Sequence, residues 1–306
     1  MMRNLIGFSS TLVFATVLAV AARSAPLQYE FVPIYSLPQS GGTSASVQRP
    51  NILPDGVVAR GTGSIRAAWF TGPTRRYAHG VLGDDIEASG LAVETSTGTV
   101  LSLALGRDAV FEDRIPRLVD LDGDGKDEVL VVKSYQTEGA ALALIAPVDG
   151  KLAIIAEGDS IGLSHRWLNP IGVGDFDGDG RIETAHIETP HIGGILVLSR
   201  LKNGHLVSVR RIRGFSNHRM GSRELGLSAV LDADGDGVLD IAVPDDTRAD
   251  LRIVTFAGGS FRELGRIEFD AEIVSSFHLT KTGATKRKAL AFKLSNGRVV
   301  GLAFGR

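Results

Sequence analysis

The same nine-residue acidic turn stands at three nearly equal intervals in this chain, and self-similarity at such a period requires a fold made of repeated units. The turns occupy residues 120–128, 175–183 and 232–240, so the first Asp recurs after 55 and then 57 residues. Each turn has acids at positions 1, 3, 5 and 9 and Gly at positions 4 and 6. The first uses Asp120, Asp122, Asp124 and Glu128, the second Asp175, Asp177, Asp179 and Glu183, and the third Asp232, Asp234, Asp236 and Asp240. Four carboxylates drawn into one small turn repel each other unless a cation neutralises them. Ca²⁺ accepts six to eight hard oxygens in a tolerant geometry, whereas Mg²⁺ keeps its water and demands a stricter octahedron. The ladder therefore predicts about three bound Ca²⁺, with position 7 (Lys126, Arg181 and Val238) adding a backbone carbonyl. Gly125, Gly180 and Gly237 permit the sharp turn that aims the acids inward.

Two other readings of these turns are weaker. An isolated Asp-Gly pair is an ordinary hairpin turn, but three copies with the same acid ladder are more than turn chemistry requires. An EF-hand needs a bidentate Glu at position 12, where this chain has Val131, His186 and Val243. The residues after the loops also form short β-branched runs, such as Val129-Leu130-Val131-Val132, rather than helices.

Beyond the loops, short apolar runs alternate with Gly, Asp, Asn and Pro, and no long helical periodicity appears. Gly accounts for 37 of the 306 residues, consistent with many tight turns. After each loop the pattern continues as strand, Gly-containing turn and strand, the turns falling at Asp149-Gly150, Asn203-Gly204 and Gly258-Gly259. Four strands per unit is the size of a propeller blade. Worn copies flank the three at residues 81–93 and 276–294, and residues 53–56 can open a further unit. The expectation is an all-β propeller of about six four-stranded blades, with five or seven also compatible. A strand within residues 29–35 is the candidate to complete the last blade.

The loops resemble those of the FG-GAP/VCBS repeat proteins, whose blades carry an Asp-x-Asp-x-Asp-Gly-x-x-Asp loop, as in the propeller of integrin α subunits. All three loops match, with Glu128 and Glu183 in place of the last Asp. The resemblance is strong over residues 117–244 and extends more loosely from residue 53 to the end. It implies a β-propeller with calcium held between adjacent strands of a blade. It does not imply one function, since the family includes adhesion modules, enzyme accessory domains and exported bacterial proteins.

The N-terminus adds a compartment. Arg3 precedes an apolar stretch at residues 5–20, followed by small residues suited to signal peptidase at Ala19-Val20-Ala21 and Val20-Ala21-Ala22. The apolar run is shorter than the roughly 20 residues of a spanning helix. The expected organisation is a signal peptide at 1–22, a strand and linker at 23–50 and the propeller at 51–306, in a periplasmic or secreted protein without a later transmembrane span. The absence of Cys excludes disulfides and thiol catalysis. A net charge of −2 gives no sign of a nucleic-acid partner.

Function is expected to be that of a binding or scaffold module for a protein or glycan, acting as a monomer, with calcium in a structural role. The alternative is a calcium-dependent hydrolase or lyase acting on phosphoesters or polysaccharides. The sequence has no Gly-x-Ser-x-Gly, His-Glu-x-x-His or phosphate-binding Gly loop, and no catalytic residue is assigned. Polar segments leading into the second and third loops place Arg166, Asn169, His191, His218 and Arg223 as a candidate pocket for an anionic or sugar-like ligand. The competing reading of these five is that they lie in solvated loops or form hydrogen bonds between blades.

Overall fold

The computed structural model describes residues 27–33, 37, 49, 51–281 and 288–305. The expected signal peptide, and the Gly/Ser-rich link at 38–46, lie outside the described residues. Those described form strands and no α-helix. None of their helices is long and apolar enough to cross a membrane.

Strand β1 (Tyr29–Phe31) is followed by four complete units. The first comprises β2 (Ala59–Arg60), β3 (Ile65–Thr74), β4 (Glu87–Thr95) and β5 (Val100–Ala104). A short β6 (Ala109–Phe111) leads to the second: β7 (Arg117–Val119), β8 (Glu128–Tyr135), β9 (Gly139–Val148) and β10 (Lys151–Gly158). The third comprises β11 (Leu168–Gly174), β12 (Glu183–Glu188), β13 (Ile195–Lys202) and β14 (His205–Arg213). The fourth is β15 (Ala229–Leu231), β16 (Asp240–Pro244), β17 (Asp250–Thr255) and β18 (Arg262–Glu268). The fifth has β19 (His278–Lys281), β20 (Lys288–Lys293) and β21 (Val299–Phe304), completed by β1, which pairs antiparallel with β21.

The described residues thus form a propeller of five blades, the lowest of the counts compatible with the sequence. The two N-terminal copies read from the sequence belong to one blade. Residues 53–56 lead into β2, while residues 81–86 lie in the loop between β3 and β4. There Asp84 accepts the Ile86 N–H, and Asp85 pairs with Arg75. Local capping and an ion pair therefore account for the acids in this stretch.

The core lies between blades. In β8, Val129 and Val131 pack with Phe70, Leu91 and Val93 of the first blade. Leu130 and Val132, on the opposite face, join a cluster that includes Trp167 and Leu168 of the third. A strand alternates its side chains with period two, so one covered on both faces must be apolar throughout, as this run is. Equivalent clusters join the third blade to the fourth, around Ile187, Leu198, Ile241 and Val254, and the fourth to the fifth, around Ala242, Ile253, Phe292 and Leu302. Backbone pairing links the first three blades as well. β6 bonds to both β4 and β8, and β10 runs parallel to β14 at Glu157↔His205.

Antiparallel alternation sorts the loops to two ends. The turns between first and second strands, which carry the acidic loops, lie at one end. The connections between blades, and those between second and third strands, gather at the other.

Candidate functional site: acidic loops and the opposite loop face

Each acidic loop is built on one hydrogen-bond scheme. Asp120 accepts the N–H groups of Gly123 (2.8 Å) and Gly125 (3.1 Å). Asp175 does the same for Gly178 and Gly180, and Asp232 for Gly235 and Gly237. The acid at position 3 accepts the N–H of position 5, which in turn accepts that of position 7. The last acid reaches back to the N–H of position 2: Glu128 to Leu121, Glu183 to Phe176 and Asp240 to Ala233. These bonds curl the chain so that acids 1, 3 and 9 of each loop place ligand atoms within 4.8 Å of one another. The acids at position 5 (Asp124, Asp179 and Asp236) are outside that group. At position 7, Lys126 and Arg181 turn their side chains to the position-5 carboxylate, while Val238 has no charge to offer.

The loops suit a hard cation. The last acid of each is buried, and Asp240 Oδ1 is enclosed without a hydrogen bond of good geometry, with Thr255 beside it. Burial, reinforced by the neighbouring aspartates, pushes Glu128 up to about 7 and Asp240 up to about 6, against the opposing backbone N–H bonds. A cation seated among them would reverse that shift. In the second loop Glu183 is also raised by burial, while the Arg181 hydrogen bond holds Asp179 down at about 2. This loop has an additional partner, Arg200 of β13, bonded to Asp177, Asp179 and Glu183.

Asp127, at position 8 of the first loop, ties it to the first blade. It accepts the Ile65 N–H at 2.8 Å, and its own N–H donates to Ser64 Oγ at 2.6 Å. Gly63 is needed in that turn, because a Cβ there would lie 2.4 Å from the Asp127 carboxylate.

At the opposite end the five ligand residues proposed from sequence do not form one pocket. His191 and His218 meet, ring nitrogen to ring nitrogen, at 2.8 Å, and His218 also bonds the Ser222 carbonyl. Burial holds their imidazoles at about 3 and about 4. Asn169 is wholly buried and donates to the carbonyls of Asn217 and Leu225, while Asn217 donates to the Asn169 carbonyl. That pair is a tie between blades. The Arg166 side chain donates to its neighbour's carbonyl, apart from the others. Arg223 pairs with Asp84 elsewhere on this end.

Two features there are not legible in the sequence. One is a cluster around Trp167, which stacks on His191 and meets His218 edge-on. The Trp167 indole N–H donates to the Glu112 carbonyl at 2.8 Å. The buried Glu112 carboxylate bonds His79 Nδ1 and Ser134 Oγ, both at 2.5 Å. Tyr77 stacks on His165, and burial together with the Glu112 charge raises its phenol to about 12. The sequence signals for this cluster are His191 and His218, proposed above as ligand residues, and Trp167, one of two tryptophans, beside the proposed Arg166. Glu112 and its partners His79, Ser134 and Trp167 are brought together from three successive blades.

The other is a cavity of about 670 Å³ on the axis. It is lined from all five blades by Val57, Arg114 and Arg117, Pro170 and Ile171, residues 223–226 and 228, and Ser276. These lie in, or just before, each blade's first strand, which is why the cavity is axial. Its arginines are anchored: Arg117 to Asp113, and Arg114 to Asp55 and to the Arg223 carbonyl.

A family model agrees with the repeat. Residues 120–184 match the FG-GAP-like repeat, spanning the first acidic loop through the end of the second. Among solved structures, the WD40 domain of Toxoplasma gondii coronin aligns with 77% of this chain and 56% of its own, at 13% identity and a TM-score of 0.38, a likeness too low to carry any argument. The chain spans little more than half the length of that structure. No curated protein sequence matches significantly.

Proposed function

We propose that this FG-GAP repeat protein is an exported, calcium-stabilised β-propeller that binds a protein or glycan through its axial cavity. The observation that carries the reading is the cavity itself. Its volume lies in the range of about 300–1,000 Å³ typical of ligand sites. It also combines apolar walls (Val57, Ile115, Ile171, Leu225) with a few fixed polar groups (Arg114, Arg117, Ser228, Ser276). Arginines already anchored by acids lose little further freedom when a ligand binds. Calcium at the far end would hold the blades in register and leave this end for recognition.

The test is binding of envelope polysaccharides and peptides to an immobilised array, with wild type and Arg117→Ala. Binding by wild type, lost in a variant that still folds, is the expected result. Equal binding by both would remove the cavity from the reading. Export is tested by cell fractionation and N-terminal sequencing of the mature protein, with cleavage expected after Ala21 or Ala22.

The His79–Glu112 pair favours a second reading, as a hydrolase. A buried carboxylate on Nδ1 leaves Nε2 of His79 positioned as a base, the relation that orients imidazole in many hydrolytic sites. Turnover of phosphoester or polysaccharide substrates, abolished by His79→Gln, would establish it over the binding role.

A further inference from the structure

The three loops share one backbone scheme but differ in what their position-3 and last acids face. In the first loop Asp122 and Glu128 each use one oxygen on a backbone N–H, and in the third Asp234 and Asp240 do the same. Their second oxygens, Asp122 Oδ2, Glu128 Oε1, Asp234 Oδ2 and Asp240 Oδ1, form no ion pair with a basic side chain among the described residues, and Asp240 Oδ1 has only the Thr255 hydroxyl beside it. In the second loop the corresponding oxygens are taken. Arg200 Nη2 lies 2.6 Å from Asp177 Oδ2 and 2.9 Å from Asp179 Oδ2, and its Nε lies 2.5 Å from Glu183 Oε1.

Register explains why only this loop has such a partner. Arg200 on β13 stands directly opposite Glu183 on β12. Counting one step from Val129↔Ile145 puts Ala146 opposite Glu128 in the second blade, and one step from Ile241↔Val254 puts Thr255 opposite Asp240 in the fourth. Ala146 cannot reach the acids and Thr255 carries no charge. The basic side chain whose charge reaches the third loop, Arg262, stands one strand further out, opposite Thr255 on β18, and opposes the rise of the Asp234 carboxyl without an ion pair to the loop's acids. Directly opposed residues in an antiparallel pair hold their Cβ atoms about 4.5–5.5 Å apart, so Arg200 is tethered over the loop by the strand itself.

We propose that the second loop does not take calcium, and that the Arg200 guanidinium is its resident cation. The inference rests on the calcium reading of the other two loops. A guanidinium delivers one positive charge and a fixed fork of donors matched to carboxylates, and it occupies the oxygens a metal would need. Calcium could enter only by expelling it, or by lying beside a like charge within a few ångströms. Arg181, paired with Asp179, adds a second positive charge at the same loop. The chain thus binds calcium in the second and fourth blades, while an internal ion pair holds the third, between them, whatever the calcium concentration.

The test is calcium stoichiometry, by equilibrium dialysis and by native mass spectrometry of the full chain. The variants are Arg200→Ala and Arg200→Thr, the latter placing the third loop's own residue at this position. Wild type is expected to bind about two ions and either variant about three, since removing the guanidinium frees a complete acid set. Asp177→Ala should leave wild-type stoichiometry unchanged, whereas Asp120→Ala and Asp232→Ala should each remove one ion. Three ions in wild type, or a stoichiometry lowered by Asp177→Ala, would overturn the inference while leaving the calcium reading intact. No ions in wild type would overturn the calcium reading and this inference with it.

Discussion

Glu128 shows how one side chain would couple a bound cation to folding. Burial and three neighbouring aspartates raise its carboxyl to about 7 in the calcium-free fold, above its ordinary 4.5. The folded state therefore holds a proton that the unfolded state releases, and calcium-free stability is lost as pH rises from about 4.5 through 7. Glu128→Gln should raise the melting temperature of the EDTA-treated protein at pH 7.5 and weaken calcium binding, read by thermal unfolding and calorimetry. A lower melting temperature in EDTA would show that the carboxylate is not the strained group. His191 and His218 act with the opposite sign. Their folded values of about 3 and 4 lie below the ordinary 6.5, so the unfolded chain takes protons first. The stability they permit is whole above about pH 6.5 and lost as pH falls toward 4. In urea titrations at pH 7 and pH 5, His191→Gln should lose less stability on acidification than wild type. Equal losses would mean that another group sets the acid limit.

At the scale of elements, β8 and β1 make contrasting predictions. All four residues 129–132 of β8 are buried, packed alternately against the blades on either side. Leu130→Ala should cost about 2–5 kcal/mol in denaturant unfolding, the range for a large-to-small change in a closed core. A cost under about 1 kcal/mol would mean that the interface between blades relaxes around the cavity. β1 contributes through its backbone, since Tyr29, Glu30 and Phe31 are all exposed while the strand bonds to β21. Removing residues 27–33 should expose β21 as an open edge, seen as a lower melting temperature and concentration-dependent association in light scattering. Replacing only the side chains of Tyr29 and Phe31 should have much the smaller effect.

For the whole molecule, the proposed calcium would be linked to the fold by mass action. An ion that binds only the folded state adds its binding free energy to stability. EDTA should therefore lower the melting temperature, more at pH 7.5 than at pH 5, because protons compete for Glu128 and Asp240. A melting curve indifferent to both EDTA and added calcium would remove the ion from the account. On the proposed reading the link also divides the labour between the two ends. The acidic loops stiffen one end, and the axial cavity with its ring of lead-in segments forms the other.

The all-β class, the repeat, the acidic loops and the strand that completes the last blade can all be read from the chain, because each depends on residues close in sequence or on a period that repeats. A turn with Asp at 1, 3 and 5 and Gly at 4 and 6 curls in one way wherever it stands, and a doubly covered strand must be apolar throughout. Tertiary structure alone decided the number of blades, since residues 81–86 look like a worn repeat until Arg75 and the Ile86 N–H are seen to use their acids. It also decided which residues share a site. His79, Glu112, Trp167 and His191 come from three blades, and Arg200 becomes a partner of the second loop only through the register of β12 against β13. Local rules act within a few residues, whereas charges and rings meet by the packing of strands whose separation along the chain no local pattern records.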